Sequence, residues 1–505
     1  MDYTHFLEKK NQLKIRLLKE IIFSSTSCSK QYLQNCLNIS TQTLCVYLDE
    51  LPDDFEKIGV TSFKIIETEE SFSIEKPSTI NLKQLLYLFL KESYKYQILV
   101  LFLNKGKVSY TEIEESLNMS RSTIYRKLVE LNTCLKEFDI QINDGRLEGS
   151  ELQIRYFYFQ LIVELIPFEN LISYMNNDYF LNILNDFEKK MNTNFSIVGK
   201  TKMYIWMDIT LRRYNSECEF DFSFVKNLCI SVMNSELYQS IEKILFDIEK
   251  KYKFKRTDED RICMFIISLC CGFFPEFYSD YLKWNQNAVI KNIAIQDISN
   301  FIQDFLENHF PTSGLKVSEY RMICFLLFQS IIQLICFKGH IFSYDEEHFN
   351  FLMEYQPVQS LKDNSKCFVK QFFANWESDT FDIDSPIHRN FYYRVSVIFR
   401  YISTLTDTPV KIGLRCSADI SIQLLLEQII DKYLTENIAI DVQIYEETKT
   451  YDLILSDYIL PEDSGLKNIY ILSELNTHYD NLKIKEKVKD IYNEHLANHF
   501  TDKKR

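Results

Sequence analysis

The stretch LNMSRSTIYRKLVEL at residues 117–131 repeats an earlier stretch, LNISTQTLCVYLDEL at residues 37–51, at a fixed offset of 80 residues. Seven of the fifteen aligned positions are identical, without a gap. In each copy a turn through Asn is followed by a Ser suited to cap a helix, and then by apolar residues at helical spacing. This pattern predicts two helix-turn-helix units, a motif that places its second helix in the major groove of DNA.

The flanking sequence extends both units. A short helix started by Ser precedes each turn, at residues 29–37 and 109–117, and an apolar helix precedes each of these. Three such helices make one compact module. After the second copy, residues 139–149 read DIQINDGRLEG, which is an alternating strand, an Asp-Gly turn and a second short strand. The second copy is therefore predicted to be a winged helix-turn-helix.

In the second copy, helical angle predicts which side chains meet DNA. With Ile124, Leu128 and Leu131 turned inward, the opposite face carries hydroxyls, a phenol and a guanidinium, which can reach base edges. Cationic residues beside this face and on the wing are placed to reach phosphates. The predicted base-facing residues are Ser122, Thr123, Tyr125 and Arg126, and the predicted phosphate contacts are Arg121, Lys127 and Arg146.

The first copy has a different outer face. Its helix begins with Thr41, Gln42 and Thr43, which we predict to contact DNA, but Val46 is apolar and four acidic residues follow. Those carboxylates would repel phosphates if they lay close to the DNA backbone. The first copy is therefore either auxiliary or docked on DNA through its basic first helix. The acidic residues are Asp49, Glu50, Asp53 and Asp54, and the basic ones are Lys9, Lys10, Lys14, Arg16 and Lys19.

The negative charge of the chain is unevenly distributed. The net charge is -14, but residues 1–160 carry 20 Lys+Arg against 22 Asp+Glu, while the remaining 345 residues carry 37 against 49. A DNA-binding module needs only a local positive face, so an acidic body does not exclude DNA. The length of 505 residues is enough for about three to five domains.

Composition also bears on the location of the protein. The thirteen cysteines occur without a C-x-x-C pair, which favours a reducing cytoplasm. The first residues, MDYTH, lack the features of a signal peptide. The longest apolar run, from Met322 to Phe337, is interrupted by Gln329 and Gln333 and is too short to span a bilayer. We therefore expect a cytoplasmic protein without a membrane segment.

The remaining sequence predicts a mainly α, multidomain fold. Residues from about 160 to 400 are nearly free of Gly and Pro and have apolar residues at helical spacing. Residues 260–267 resemble residues 320–327, which suggests two similar helical bundles. The last hundred residues alternate strands with helices, as a small parallel α/β domain does. The predicted domains are 1–75 and 76–160 (helix-turn-helix), 161–285 and 286–402 (helical bundles), and 403–505 (α/β).

This ordering resembles the Mga/RofA/AtxA-type transcriptional regulators of Gram-positive bacteria, nearest their RofA-like or Mga branch. The resemblance rests on residues 117–126, on the wing at 142–149 with Ile154 and Arg155 after it, and on the late strand at 451–455. It implies that the bundles are phosphotransferase-regulation domains and that the last domain is similar to sugar-phosphotransferase enzyme IIB. It further implies a global or virulence regulator that binds double-stranded promoter DNA as a homodimer or larger homo-oligomer, linked to phosphotransferase phosphocarrier proteins.

The same resemblance directs attention to histidines, because phosphorylation of histidine controls such bundles. None of the eight histidines lies between His5 and His309, so the first bundle cannot be controlled in this way. Ser268 and Phe328 stand where the family's histidine is expected. His388 is preferred in the second bundle, because the turn at Ser385-Pro386 precedes it and two arginines, Arg389 and Arg394, follow. The other candidates are His309, His340 and His348, and the alternative for each is an ordinary surface or cap histidine.

A second candidate for phosphorylation is Cys416. It follows a predicted strand and precedes a predicted helix, where enzyme IIB domains place their phosphocysteine, and a helix N-terminus can hold a phosphate. The next residues are Ser417, Ala418 and Asp419, which provide no glycine and add a like charge. A packing cysteine in a vestigial, dimerising domain is therefore the favoured interpretation.

No pattern typical of catalysis or cofactor binding is present. The sequence contains no Walker A loop, no G-x-G-x-x-G and no G-x-S-x-G. His495 and His499 are four residues apart, but Glu494 precedes the first of them, so the H-E-x-x-H metal pattern is absent. We expect a non-enzymatic protein without metal or cofactor. The alternative to a DNA-binding regulator is a helical scaffold or signalling adaptor whose helix-turn-helix units contact proteins.

Overall fold

Helices predominate in the structure, a computed structural model, as the sequence predicts. The first helix-turn-helix unit contains α1 (Lys9–Phe23), α2 (Lys30–Leu37) and α3 (Thr41–Lys57). The second contains α4 (Leu82–Glu92), α5 (Tyr94–Lys105), α6 (Tyr110–Leu117) and α7 (Arg121–Leu135). The structure describes residues 2–23, 27–75, 81–175, 178–191, 194–214, 236–252, 258–271, 289–290, 293–310, 312–341, 349, 359–376, 381–406, 409–417, 420–434, 439–458, 460, 468–473 and 477–501.

Helices also make up the middle of the chain. They are α8 (Glu151–Leu165), α9 (Phe168–Tyr174), α10 (Asp178–Met191), α11 (Ile197–Arg213), α12 (Glu236–Tyr252), α13 (Asp258–Cys270), α14 (Ile295–His309), α15 (Val317–Cys336), α16 (Gln359–Trp376) and α17 (Pro386–Thr406). The two stretches that resemble each other in sequence are both helical and lie in α13 and α15. The predicted boundary at residues 285 and 286 falls outside the described residues.

Short antiparallel hairpins follow both recognition helices. In the second unit β4 (Gln141–Asn143) pairs with β5 (Arg146–Glu148), which is the predicted wing. In the first unit β2 (Lys64–Glu67) pairs with β3 (Ser71–Glu75), and β3 also pairs with β1 (Cys28–Ser29). The sequence did not predict the β2–β3 hairpin of the first helix-turn-helix unit. Both units are therefore winged.

The end of the chain contains a parallel sheet. Its strands are β8 (Val410–Arg415), β9 (Ile440–Ile444), β10 (Leu453–Ser456) and β11 (Ile469–Ile471), in the order β11-β10-β8-β9. The helices α18 (Ile420–Leu434) and α19 (His478–Thr501) pack on it, and Leu426, Ile430 and Ile484 are buried in the shared core. A small two-stranded sheet, β6 (Val289–Ile290) with β7 (Ile293–Ala294), lies between the helical segments of the chain.

The chain divides into two compact bodies, which are not the same as the two helix-turn-helix units. The first comprises Met1–Gln296, Ile331–Asp345 and Asp384–Asn390, and the second comprises Asp297–Ser330, Glu346–Ile383 and Phe391–Arg505. The first compact body therefore contains both helix-turn-helix units and most of the first helical region. The second has its own aromatic core, in which Phe305 contacts Phe368 at 4.9 Å and Phe399 at 5.7 Å between ring centroids.

Among the described residues, α15 is the one helix long and apolar enough to cross a membrane. It has twenty residues, more than the run predicted from the sequence, with a mean hydropathy of 1.4 in its most apolar window. Most of that window is buried inside the protein, and both glutamines that interrupt it, Gln329 and Gln333, are buried too. A core helix of a globular protein has these properties.

The helix after the second wing, α8, is buried along nearly its whole length and carries charges in its interior. Arg155 donates from Nε to Glu151 at 3.0 Å and from Nη1 to Asp260 on α13 at 2.7 Å. Arg213 on α11 donates to the same glutamate from Nε at 3.1 Å and from Nη2 at 2.6 Å. All four side chains are nearly fully buried. Because a buried charge is stable only when paired, these contacts fix α8 against α11 and α13.

A segment after α15, residues 337–341, lies against the second helix-turn-helix unit. The Gln153 side chain donates to the Lys338 carbonyl at 2.6 Å and accepts from the Lys338 backbone N–H at 3.1 Å. The His340 backbone N–H donates to Glu137 at 3.0 Å. Gly339 has φ of +72° and lies flat on the Phe138 ring, where an added Cβ would come within 2.8 Å of ring carbons. Only glycine fits this contact.

We expect Gly339→Ala to loosen this segment. Gly106→Ala is the matched control, because Gly106 also has φ of +72° but its added Cβ would meet nothing within 4 Å. Both substitutions put a Cβ on a residue with positive φ and are strained for that reason, and overpacking on Phe138 adds about 1–3 kcal/mol for Gly339 alone. The measurement is hydrogen–deuterium exchange of the peptides that contain Phe138 and Gln153, since a chain of several domains does not unfold in one transition. Equal exchange in the two variants would contradict this packing role.

Candidate nucleic-acid interface

The two helix-turn-helix turns have the same local geometry. Asn38 and Asn118 end α2 and α6 in the left-handed conformation, with φ of 52° and 51°. Ser40 and Ser120 then cap the recognition helices by accepting hydrogen bonds from the backbone N–H groups three residues later, at 3.1 and 3.4 Å. Asn tolerates this backbone conformation better than most residues. The repeated sequence therefore gives the repeated turn that it predicts.

The outer face of α7 is open to solvent. The Tyr125 side chain is 64% exposed and that of Arg126 is 69% exposed, and Ser122 is exposed between them and the helix start. Arg126 is held only loosely, with Nε 4.0 Å from Glu130. Arg121 is exposed at the first turn, and its guanidinium lies 5.4 Å from the centre of the Tyr110 ring. These four predicted residues lie together on one accessible surface, which we call the α7 face.

Two further predicted residues lie at the margin of the α7 face. Thr123 is half-buried, and its hydroxyl is 2.9 Å from that of Ser120, so it completes the cap of α7. Arg146 is half-buried on β5, and its backbone pairs with Lys107 in an isolated β-bridge. The wing tip packs back on α5–α6, because an added Cβ on Gly145 would lie 2.4 Å from the Val108 carbonyl oxygen.

Lys127 is not where the sequence places it. Its side chain is only 8% exposed, and Nζ lies 2.8 Å from Glu8 and 3.3 Å from Glu130. A buried lysine held by two carboxylates does not reach a phosphate, so the prediction of Lys127 as a phosphate contact is wrong. The physical reason is a partner 119 residues away in sequence, together with the position of Lys127 three residues after the inward Ile124 and four before the inward Leu131.

In the first unit, the start of α3 is also accessible. Thr41 and Gln42 are exposed, while Thr43 is half-buried with its hydroxyl 2.9 Å from that of Ser40. Thr41 accepts a hydrogen bond from the Gln34 side chain at 2.9 Å. Val46, one turn further along, is 44% exposed. This face is polar and uncharged at its start, unlike the cationic α7 face.

The acidic residues of α3 are partly neutralised from within the unit. Lys14 is buried and lies 2.5 Å from Asp54 and 2.7 Å from Glu50, and Lys10 lies 2.6 Å from Glu50. Hydrogen bonds from Lys10 and Lys14 lower the pKa of Glu50, so its carboxylate stays ionised and paired. Lys14 is therefore excluded as a DNA contact, which corrects one of the two interpretations of the basic first helix.

Other basic residues of α1 remain accessible. Lys9 and Arg16 are exposed and line a groove of about 620 Å³, whose opposite wall is the turn from Asn38 to Ser40 with Thr43. Arg16 donates to the Cys36 carbonyl at 3.4 Å. The ammonium of Lys19 lies 4.9 Å from the centre of the Tyr3 ring. The first unit thus offers two cations, Lys9 and Arg16, beside the start of its recognition helix.

The second helix-turn-helix unit lies in a part of the chain that matches a known protein family. The family model described as the Mga helix-turn-helix domain matches residues 78–162, from just before α4 into α8. We call residues 78–162, which match this model, the Mga domain. The predicted resemblance to the Mga family is confirmed for these residues.

A curated relative points the same way. The chain is similar to the anthrax toxin expression trans-acting positive regulator of Bacillus anthracis, with 21% identity over 248 residues. That alignment covers 49% of this chain and 51% of the relative, so the chain spans about half the length of the curated relative that it matches. The name of that relative describes a regulator of expression, which agrees with the helix-turn-helix domain matched at residues 78–162.

Outside the Mga domain, the candidate phosphorylation sites differ in accessibility. Ser268 is fully buried and donates to the Met264 carbonyl at 2.6 Å, and Phe328 is buried. His309 is stacked on Phe305 with ring centroids 3.9 Å apart. His340 and His388 are half-buried, the first in segment 337–341 and the second in the first turn of α17. His348 lies outside the described residues.

Cys416 lies at the carboxyl edge of the parallel sheet, beside a carboxylate. β8 and β10 are parallel neighbours, so Cys416 and Asp457 follow them at the same edge. Asp457 accepts from the Ser417 backbone N–H at 2.9 Å and from its hydroxyl at 2.6 Å, and the Cys416 thiol donates to it at 3.5 Å. Burial alone would raise the pKa of Asp457, but these hydrogen bonds outweigh it and lower that pKa. Cys416 is only 8% exposed, and Asp419 lies outside the described residues.

Proposed function

We propose that this protein is a transcriptional regulator that binds double-stranded promoter DNA with the α7 face of its Mga domain. The observation that carries the proposal is the joint exposure of Arg121, Ser122, Tyr125 and Arg126 at the start of a capped recognition helix. In the proposed complex, Arg126 and Ser122 meet base edges in the major groove and Arg121 meets a phosphate. Arg146 supports the wing side, and Thr123 holds the helix start.

We propose that the first unit adds a weaker contact with DNA. Thr41 and Gln42 are exposed at its recognition helix, and Lys9 and Arg16 line the adjacent groove. Pairing of Glu50 and Asp54 with lysines removes much of the repulsion that these acids would otherwise exert on phosphates. This supports docking of the first unit on DNA rather than a purely auxiliary role.

The test of DNA binding is an electrophoretic shift with promoter DNA at about 50 and about 200 mM salt. We expect Arg126→Ala to lower affinity and relax sequence preference, because a bidentate base contact is worth about 1–3 kcal/mol. Arg121→Ala should weaken binding to all sequences and reduce the salt dependence by about one phosphate contact. The matched control is Lys189→Ala, a cation that is 81% exposed on α10 and far along the chain from the modules. If Arg126→Ala binds and footprints like the unaltered protein, its assignment fails.

The same experiment separates the two function classes. Salt-sensitive binding supports the regulator, since phosphate contacts release counterions. An absence of binding at both salt concentrations would favour the scaffold or adaptor, in which the helix-turn-helix units contact proteins.

We propose a five-part layout in which the last domain, residues 403–505, is enzyme-IIB-like and joins two copies into a homodimer. Support comes from α18, which is apolar on two sides. Leu426 and Ile430 are buried in the sheet core, while Ile422, Leu424 and Leu425 are 41%, 52% and 60% exposed. Adjacent exposed apolar side chains of this kind are typical of interaction surfaces. A second copy would cover them in a symmetric contact.

We therefore expect Leu425→Glu to shift the protein toward a smaller species, because a charge would have to be desolvated inside the interface. Thr448→Glu is the control, since it adds the same charge at an exposed turn of the same domain. Analytical ultracentrifugation at micromolar concentration measures the change. Identical sedimentation of the two variants would place dimerisation elsewhere in the chain.

We propose that sugar-phosphotransferase signals reach the second helical region and not the first, since no histidine lies between His5 and His309. His388 is favoured over His340 because it is half-buried in the first turn of α17, where the Arg389 backbone N–H donates to the Ser385 carbonyl at 2.9 Å, and because Arg389 and Arg394 follow it in the sequence. Cys416 is disfavoured, since Asp457 already holds its loop.

Mass spectrometry under acid-sparing conditions tests this after incubation with the general phosphotransferase proteins. We expect phosphate on His388, its loss in His388→Ala, and unchanged labelling in Cys416→Ser. A phosphate of about -2 charge beside Arg389 gains charge-assisted hydrogen bonds, which is the physical reason for the expected site. Absence of phosphohistidine would remove sugar-linked control from the proposal and leave the DNA-binding part untouched.

A further inference from the structure

The residues before α1 fold back as a separate small element. Asp2 caps a single turn of 3-10 helix at Tyr3–Phe6 by accepting from the Thr4 backbone N–H at 2.8 Å. Phe6 is the last residue of that turn and Leu7 follows it, and both are fully buried at 0% exposure. Eight residues cannot bury such side chains by themselves, so another part of the protein covers them. We call residues 2–8 the N-terminal segment.

The N-terminal segment is buried against the Mga domain. Ser93, itself fully buried just before α5, donates from Oγ to the Phe6 carbonyl at 2.5 Å. Lys95 on α5 donates from Nζ to the His5 carbonyl. The Phe6 ring lies 6.2 Å from that of Phe157 on α8. The carbonyls of His5 and Phe6 thus accept hydrogen bonds from the second module, and the Phe6 ring packs near a ring of α8.

A charge cluster extends the contact to the recognition helix itself. Lys127 on α7 lies 2.8 Å from Glu8 and 3.3 Å from Glu130, and Glu130 lies 3.7 Å from Lys95. Lys127 and Lys95 are nearly buried, whereas the side chains of Glu8 and Glu130 are 34% and 41% exposed, so solvent screens these ion pairs in part. Further along α1, the Lys14 ammonium lies 5.7 Å from the centre of the Phe89 ring on α4. The first module is therefore fastened to α4, α5, α7 and α8.

We infer that the N-terminal segment sets a fixed spacing and helical phase between the two recognition helices, α3 and α7, so that one protomer reads two DNA segments in a defined register. The inference rests on the proposed function and adds the geometry of the operator. Phe6, Glu8, Ser93 and Lys127 act as positioning residues, because they touch the other module and not the DNA. With the second module bound, a rigid partner presents the first at a high effective concentration only where the DNA phase matches.

The first test needs no DNA. Spin labels are introduced as genetically encoded unnatural residues at Gln42 and Tyr125, because the chain has thirteen cysteines. Pulsed electron resonance should give one narrow distance between α3 and α7. Phe6→Ala and Ser93→Ala should broaden it, since they remove the buried ring and the hydrogen bond to the Phe6 carbonyl. His5→Ala is the matched control, because the His5 side chain is exposed and its contacts with Asp2 and Lys95 are made by backbone atoms that alanine keeps.

The second test uses a footprinted operator with extra base pairs between its two protected parts. An insertion of about 5 base pairs turns one part by half a helical turn, and one of about 10 restores the phase. We expect the unaltered protein to lose at least about tenfold in affinity with the shorter insertion and to recover part of it with the longer one. Ser93→Ala should reduce that phase dependence.

The outcomes are separable. A broad distance distribution in the unaltered protein overturns the inference whether or not DNA is bound. Equal affinity for both insertions overturns it while the proposed function stands. A complete lack of DNA binding, with a narrow distance, removes the proposed function and with it the operator register. If Phe6→Ala fails to fold, Ser93→Ala carries the comparison with His5→Ala.

Discussion

The arrangement of the first compact body depends on the pairing of buried charges on α8. Glu151 accepts from both Arg155 and Arg213, and Arg155 also reaches Asp260, all away from solvent. α8 begins inside the Mga domain, whereas Arg213 and Asp260 belong to the helical region. Separating these helices would leave unpaired charges in a low dielectric, at a cost of about 3–5 kcal/mol. The DNA-binding module and the helical region therefore share one interior, in which neither can move without breaking these paired charges.

The same physics explains how far the recognition helix could be predicted from the sequence. Helical angle places Ile124, Leu128 and Leu131 inward, and all three are buried, while Arg126 is exposed as predicted. The prediction fails at Lys127, one residue further, because that side chain lies beside the inward stripe and its ammonium is held by Glu8 of the N-terminal segment. The local periodicity of apolar residues predicts the helix and its inward and outward faces. It contains no information on which distant carboxylate a lysine will meet.

Local chemistry predicted the turns well and one hairpin not at all. Ser29, Ser40, Ser109 and Ser120 all cap helices, because each hydroxyl accepts a backbone N–H of the first turn. The wing of the second unit was visible through Asp144-Gly145, which both have positive φ. The wing of the first unit turns through Thr68 and Ser71, whose backbone and hydroxyl groups bond each other, without the usual Gly or Asn. A hairpin closed by such side-chain bonds has no strong sequence signal.

The positions of the histidines limit how control could reach DNA. Segments Ile331–Asp345 and Asp384–Asn390 join the unit that contains both DNA-binding modules, and they contain His340 and His388. At His340 a phosphate would lie close to Glu137, which accepts from the His340 backbone N–H, and next to Lys338, which is paired with Asp139. Repulsion there would weaken the hold of segment 337–341 on the second module. At His388 the next residue in the sequence is Arg389, whose charge would favour a phosphate rather than oppose it. Under the proposed phosphate control, the effect on the DNA-binding modules would therefore depend on which histidine is modified.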